Sequence, residues 1–178
     1  FILGAKEFNR KLKLSQDDIL LIEGIHALNP KVLEHISKEK KITIYLSALT
    51  ELNIDNHVRV STTDNRLLRR IVRDNRRRGN KVEDTLKNWT KVRDGEENYI
   101  FPYQDEADYT FNTAMIYELG VLKTFVEPLL YSVEPTSPYY NEAIRLINFL
   151  RLFLPISSET VPKDSILREF IGGGCFKV

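Results

Sequence analysis

The strongest constraint on the fold of this chain is an arginine-rich segment whose charged and apolar side chains separate when it is drawn as a helix. At about 100° per residue, five arginines fall within one arc of about 100°: Arg66, Arg69, Arg70, Arg73 and Arg77. The opposite side is apolar: Leu67, Leu68, Ile71 and Val72. Residues 61–64 offer N-cap side chains, and Gly79 offers a stop. The pattern predicts an amphipathic helix over residues 61–78 that packs by one face and presents guanidinium groups on the other.

The charge of this segment is concentrated against a nearly neutral background. Residues 59–80 contain eight arginines and two aspartates, a local charge of +6 in a chain whose total is +1. Like charges three and four residues apart cost helix stability, so the arrangement favours an anion that binds them. Guanidinium groups bind phosphate through paired donors, and both a nucleotide and a nucleic-acid backbone supply phosphate. A solvated basic face with salt bridges to carboxylates elsewhere is the alternative interpretation.

The rest of the composition excludes several classes of protein. A chain of 178 residues that is 42% hydrophobic predicts a packed domain. No apolar run approaches the roughly 20 residues that span a bilayer. A single cysteine, Cys175, and three scattered histidines exclude a disulfide framework and a metal site built from these ligands. We therefore expect a reducing, cytoplasmic setting. The first residue is Phe1, so we also expect a piece of a longer protein.

Short apolar runs alternate with helical segments along the chain. Residues 19–22 are an apolar run followed by Glu23 and Gly24, which predicts a buried parallel strand whose C-terminal end borders a site. Two more strands are predicted at residues 41–46 and 107–111. The other predicted helices lie at residues 30–35, 82–92, 113–130, 140–154 and 165–170, with a turn at 94–95. The alternation predicts an α/β domain with a parallel sheet, whose missing strands are expected upstream.

Three segments together resemble a known family. Residues 19–26 (ILLIEGIH), residues 65–74 (NRLLRRIVRD) and Arg78-Gly79 resemble the second half of uridine kinases, which group with phosphoribulokinase-like P-loop kinases. Residues 100–103 (IFPY), 107–109 (ADY) and 165–173 (SILREFIGG) look like a bacterial subgroup with a threonyl-tRNA-synthetase-like N-terminal region. The resemblance covers about residues 13–176.

The resemblance implies a partial P-loop kinase fold of the α/β class, with few parallel strands, an arginine-rich lid helix and a helical C-terminal tail. Residues 1–131 would be the C-terminal part of a kinase domain, with the lid at about 61–94. Residues 132–178 would be a helical extension.

The resemblance also assigns roles to single residues. Glu23 would be a catalytic carboxylate associated with Mg²⁺. Arg73, also catalytic, and Arg78 would contact the phosphates of ATP or GTP. Arg70 would lie near the sugar of the accepting nucleoside or near the transferred phosphate, and His26 would lie next to the acceptor site. The family's lid commonly continues Arg-Gly-Arg, whereas Asn80 follows Gly79 here. One phosphate contact would be lost, or supplied by a neighbour such as Arg76 or Arg77.

The sequence lacks the Gly-x-x-x-x-Gly-Lys-Ser/Thr phosphate loop that such kinases need. The resemblance therefore implies the C-terminal portion of a uridine kinase, which binds a nucleotide and a pyrimidine nucleoside, works with the upstream part of the same polypeptide and is inactive alone. An RNA-binding module that uses the arginine helix is one alternative function. A regulatory or structural remnant without a ligand is another.

Overall fold

The computed structural model describes residues 13–176, which form a small parallel sheet and a set of helices. Strands β1 (Ile44–Ser47) and β2 (Tyr109–Asn112) are parallel, with Ile44 opposite Tyr109 and Ser47 opposite Asn112. Both were predicted from the sequence, and each lies one to three residues further along the chain than expected. The described part is thus a mixed helix–strand fold with a two-stranded parallel sheet.

Residues 13–176 contain six α-helices. They are α1 (Pro30–Leu33), α2 (Thr62–Arg78), α3 (Val82–Tyr99), α4 (Glu118–Tyr131), α5 (Tyr140–Leu150) and α6 (Arg168–Ile171). Single 3₁₀ turns occur at Lys38–Lys40, Phe101–Glu106 and Ser158–Thr160. Within residues 13–176 no helix is both long enough and apolar enough to cross a membrane.

Helix α2 begins and ends where the sequence predicted. The Ser61 hydroxyl accepts a hydrogen bond from the Asp64 amide at 3.2 Å, which satisfies one of the free N–H groups of the first turn. Gly79 ends the helix with φ of +66°, a left-handed conformation that favours glycine. Both α2 and α3 lie between β1 and β2 in the chain, so they form the crossover that a parallel pair requires.

The core lies among the helices rather than at the sheet. Helix α2 packs against α3, α4 and α6, and α5 packs against α4. The apolar side of α2 is buried as predicted, at 3% exposure or less for Leu67, Leu68, Ile71 and Val72. Removing these side chains from water is the main favourable contribution to packing the helices together.

The strand predicted at residues 19–22 was wrong. These residues form no strand, and Ile19 and Leu21 are 96% and 90% exposed. A parallel strand exists only beside a hydrogen-bonded neighbour. Among the described residues β1 pairs with β2 alone, and no strand lies beside this run. Its apolar composition indicated the need for burial, but not a partner that could provide it.

Several helix boundaries also differ from the prediction, and the three largest differences are in α3, α4 and α5. Helix α3 continues through Asp94 and Gly95, predicted as a turn, because Glu96 is buried against α2 and Glu97 pairs with Arg93. These contacts outweigh the cost of about 1 kcal/mol for a glycine in a helix. Helix α4 begins at Glu118 rather than 113. Helix α5 ends at Leu150 rather than 154, shortly before Pro155, whose ring disfavours helix at the preceding residue.

Candidate functional site

The arginines of α2 divide into groups with different partners. Arg69 was predicted to lie on the exposed cationic face, but the structure buries it. It is only 6% exposed. Its Nε donates to Oε2 of Glu118 at 2.8 Å, and Nη2 donates to the Thr113 carbonyl at 2.8 Å. At the edge of the arginine arc, beside Val72, this side chain meets the core instead of solvent. Arg69 therefore joins α2 to α4 and to the end of β2.

Two further arginines are held within the fold. Arg66 donates from Nη1 to Oε2 of the buried Glu96 at 2.8 Å. Arg76 donates from Nε to the Phe170 carbonyl at 2.9 Å and from Nη2 to the Glu169 carbonyl at 2.8 Å. The alternative of salt bridges to carboxylates within the protein thus describes Arg66 and Arg69. Neither presents an unpaired charge to a ligand.

Three of the predicted site residues converge on one buried carboxylate, Asp74. Nε of Arg70 lies 3.3 Å from Asp74 Oδ2. Nε of Arg73 and Nη1 of Arg78 lie 3.7 and 3.3 Å from Asp74 Oδ1. We call Asp74 with these three arginines the Asp74 cluster. The Asp74 side chain is 3% exposed, while the arginine side chains are 26%, 29% and 60% exposed, so the cluster is buried at its anion and open at its cations.

A second carboxylate borders the Asp74 cluster. Oε1 of Glu169 in α6 lies 3.9 Å from Nη1 of Arg73. With Glu169 counted, three cations meet two anions and a charge of +1 remains. A guanidinium offers five donors, whereas a carboxylate accepts at about four sites. The cluster therefore retains both charge and donors for an outside anion with several oxygens.

The other predicted site residues lie apart from these contacts. Arg77 is exposed and makes no ion pair with any described residue. Glu23 is exposed in a segment without regular structure, and no ion pair in residues 13–176 connects it to the Asp74 cluster. The His26 ring lies edge-on to the ring of Tyr99, with centroids 5.9 Å apart. The structure thus brings together Arg70, Arg73 and Arg78, but not Glu23, His26 or Arg77.

Two clefts lie near α2, and neither is lined by the arginines of the Asp74 cluster. One, of about 390 Å³, lies between Arg76 and the Gly172–Gly174 turn after α6. The other, of about 320 Å³, lies beside Tyr45 and Ser47 of β1 and is bordered by Arg66 and Arg93. Because Arg66 and Arg93 pair with glutamates of α3, the second cleft has no excess positive charge.

A metal ion would find few ligands in this part of the chain. Residues 13–176 contain no group of three or more histidine, cysteine, aspartate or glutamate side chains placed to hold one. Mg²⁺ keeps several waters and is commonly bound by one or two carboxylates together with substrate phosphates. The single carboxylate of Glu23 fits such an arrangement only when a nucleotide supplies the other oxygens.

Sequence reasoning assigned no role to two acidic residues of this region. Asp74 was counted only as a charge, although its helical angle of about 80° from Arg66 places it between Leu67 and Arg70, at the border of the two faces. That angle could have predicted a buried carboxylate beside arginines. Glu118, the partner of Arg69, had no comparable signal, because its contact joins residues 49 positions apart.

Comparison with known proteins adds one match. The family model described as Phosphoribulokinase / Uridine kinase family matches residues 5–118. The match includes both strands, the Asp74 cluster, Glu23 and His26, and it ends at the first residue of α4. No curated protein and no solved structure matches the chain.

Proposed function

The chain belongs to the phosphoribulokinase/uridine kinase family, and from that premise we propose that it supplies the phosphate-binding arginines of a nucleoside kinase. The enzyme would transfer the γ-phosphoryl group of ATP or GTP to the 5′-hydroxyl of a pyrimidine nucleoside, with uridine the expected acceptor. The observation that supports this most directly is the Asp74 cluster. Three guanidinium groups held together at an open surface, with a charge of +1 remaining after Asp74 and Glu169, offer paired donors to the oxygens of a triphosphate.

Within this proposal each arginine has a different task. Arg73 and Arg78 contact the phosphates and offset the charge that spreads over the oxygens during transfer. Arg70 lies nearer the acceptor, where it orients the phosphoryl group toward the hydroxyl. Arg77, exposed and unpaired within the described residues, is available for the phosphate contact that Asn80 cannot make. Closure of α2 over the nucleotide would exclude water, which makes this segment the lid of the enzyme.

Glu23 and His26 complete the proposed site from the other side. Members of this family use ATP with Mg²⁺, and the ion neutralises phosphate charge when it is bound. Glu23 would hold it together with the nucleotide, and His26 would border the nucleoside. Both residues precede β1 in the described part of the chain, so an ordered site requires that this segment be fixed against α2.

The exposed sheet supports a second part of the proposal, that an upstream segment of the same polypeptide completes the enzyme. Ile44 and Leu46 of β1 and Tyr109 and Phe111 of β2 share one face, and each is more than half exposed. The sequence has no phosphate loop. A further segment that carried this loop and covered the sheet would satisfy both requirements. We therefore expect the 178-residue chain to be inactive alone.

A phosphotransfer assay tests the function directly. The longer protein that includes a phosphate loop is supplied with ATP, Mg²⁺ and a panel of nucleosides, and the 178-residue chain is assayed beside it. We expect phosphorylated uridine or cytidine from the longer form only. No product from either form would remove the kinase proposal. Product from the shorter chain would remove the requirement for an upstream segment.

The role of Arg73 gives a sharper test in the same assay. Arg73→Ala is expected to lower kcat by about 100-fold or more while nucleoside KM changes little, because the lost charge acts mainly in the transition state. Arg145→Ala is the matched control, since Arg145 pairs with Asp64 and Glu142 away from the cluster. Equal losses in kcat and in nucleoside affinity would contradict the assignment of Arg73.

The RNA-binding alternative has less support from the contacts of α2. A nucleic-acid backbone needs a row of available cations, and its affinity falls steeply with salt as those cations release counterions. Here Arg66 and Arg69 pair with buried glutamates, and Arg76 binds backbone carbonyls. Of the remaining arginines of α2, Arg70, Arg73 and Arg78 form a compact cluster rather than a row, which favours a nucleotide.

A further inference from the structure

Asp74 has an unusual environment for a carboxylate. Its side chain is 3% exposed, and burying an ionised carboxylate costs several kcal/mol unless cations compensate it. Arg70 and Arg78 lie one helical turn before and after it, and Arg73 precedes it directly, so a single residue contacts all three. Each guanidinium group is closer to Asp74 than to any other carboxylate within 4.0 Å.

The central position of Asp74 offsets the repulsion among neighbouring arginines of α2. Three cations on adjacent turns of one helix repel one another, and long flexible side chains in water would separate. A carboxylate at their centre lowers that repulsion and limits the rotamers of all three. Asp74 is buried at the border between the apolar face and the arginine face, so the guanidinium groups that pair with it gather at that border.

We propose that Asp74 is a positioning residue that holds Arg70, Arg73 and Arg78 in a preformed cluster for a polyphosphate. The inference rests on the proposed function, since it concerns the same site. Asp74 itself does not contact the ligand. It acts by reducing the ordering that the arginines must undergo when the phosphates bind, which is how preorganised sites gain affinity.

For the affinity of the site for polyphosphate, a positioning role of Asp74 predicts the opposite change from a purely electrostatic effect of its charge. Replacing Asp74 by asparagine raises the local charge by one, so a purely electrostatic site would bind polyphosphate more tightly. A positioned site would bind it more weakly, because the three arginines lose their common anchor. The direction of the change in affinity therefore separates the two explanations.

The experiment measures binding of inorganic tripolyphosphate by titration calorimetry at low salt. It compares the intact protein with Asp74→Asn and with Asp64→Asn. Asp64 lies on the same helix but pairs with Arg145, so its substitution adds the same charge and leaves the Asp74 cluster untouched. We expect Asp74→Asn to weaken binding about tenfold, the value of one charge-assisted contact. Asp64→Asn is expected to leave affinity within about twofold, or slightly tighter.

A second variant keeps the test decisive if Asp74→Asn does not fold, which thermal unfolding would show. Asp74→Glu retains the charge but moves the carboxylate by one methylene, so we expect binding to weaken about threefold. If Asp74→Asn folds and binds tripolyphosphate as tightly as the unsubstituted protein, or more tightly, the inference is overturned. If only Asp74→Glu folds, an unchanged affinity for tripolyphosphate overturns it. Failure of the unsubstituted protein to bind tripolyphosphate would instead reject the arginine helix as a phosphate site, and the inference with it.

Discussion

The helices after β2 and the sheet itself contain similar apolar residues, yet one region buries them and the other does not. In α5, Leu146, Ile147 and Leu150 are at most 1% exposed. In β1 and β2, Ile44, Leu46, Tyr109 and Phe111 are between 53% and 64% exposed. The helices carry complementary apolar faces within the described chain, whereas the sheet has two strands and an uncovered face. Regular structure therefore forms in both regions, but only the helical region can derive its stability from its own packing.

The largest expected effect extends this contrast to residues 19–22, by comparing a buried leucine of α5 with an exposed leucine of that segment. Leu146→Ala should lower the free energy of unfolding by about 2–5 kcal/mol, because it removes a fully buried side chain and leaves a cavity. Leu21→Ala, at 90% exposure, should change it by no more than about 0.5 kcal/mol. Urea unfolding of the two variants provides the measurement. A cost for Leu21→Ala close to that of Leu146→Ala would mean that residues 19–22 are buried in solution, and the contrast would fail.

A smaller effect with opposite signs is expected at two helical glycines. A Cβ on Gly120 of α4 would lie 2.7 Å from the Leu154 carbonyl oxygen and 2.8 Å from Cδ1 of Ile156. Gly120→Ala should therefore destabilise the protein by about 1–3 kcal/mol through overpacking. A Cβ on Gly95 of α3 would meet nothing within 4 Å, so Gly95→Ala should stabilise it by about 0.5–1 kcal/mol. Thermal unfolding shows whether each variant is more or less stable than the unsubstituted protein. Stabilisation by Gly120→Ala would contradict the close packing of α4.

The same contrast explains what could be predicted from the sequence. Helix α2 was predicted to its caps, because Ser61, Gly79 and the separation of leucines from arginines are local signals. The strand predicted at residues 19–22 depended on a neighbouring strand, and an apolar run does not specify its neighbour. Likewise Gly95 is a local turn signal, and its place within α3 was decided by Glu96, which is buried against Arg66.

For the candidate site, local spacing predicted the residue types but not their partners. The motif identified Arg70, Arg73 and Arg78, which do lie together. Their roles, like those of Glu23 and His26, stay predictions. Arg69 belongs to the same arc but is buried on Glu118, and only the packing of α4 against α2 decides this. Helical periodicity gives the direction of a side chain, whereas the tertiary fold decides whether that direction meets solvent or a carboxylate.

The smallest expected effect concerns the exposed sheet and depends on pH. Asp108, just before β2, accepts hydrogen bonds at Oδ2 from the amide and the hydroxyl of Thr43, both at 2.8 Å. These bonds, first from the amide and then from the hydroxyl, lower the pKa of Asp108 below its ordinary value, with a smaller contribution from Lys38 and Lys41. They join the starts of the two strands in a region with little packing of its own.

A carboxyl group whose pKa is lower in the folded state stabilises the protein above its unfolded pKa of about 4 and loses this contribution as the pH falls through the folded pKa. The unsubstituted protein should therefore unfold at a higher temperature than Asp108→Asn at about pH 6, and the difference should shrink at about pH 3, below the unfolded pKa of about 4. Melting curves at the two pH values provide the measurement, with Glu127→Gln, at a partly exposed position of α4, as the control for loss of a carboxylate. A difference that is the same at both pH values would show that the Thr43 contacts do not depend on the charge of Asp108.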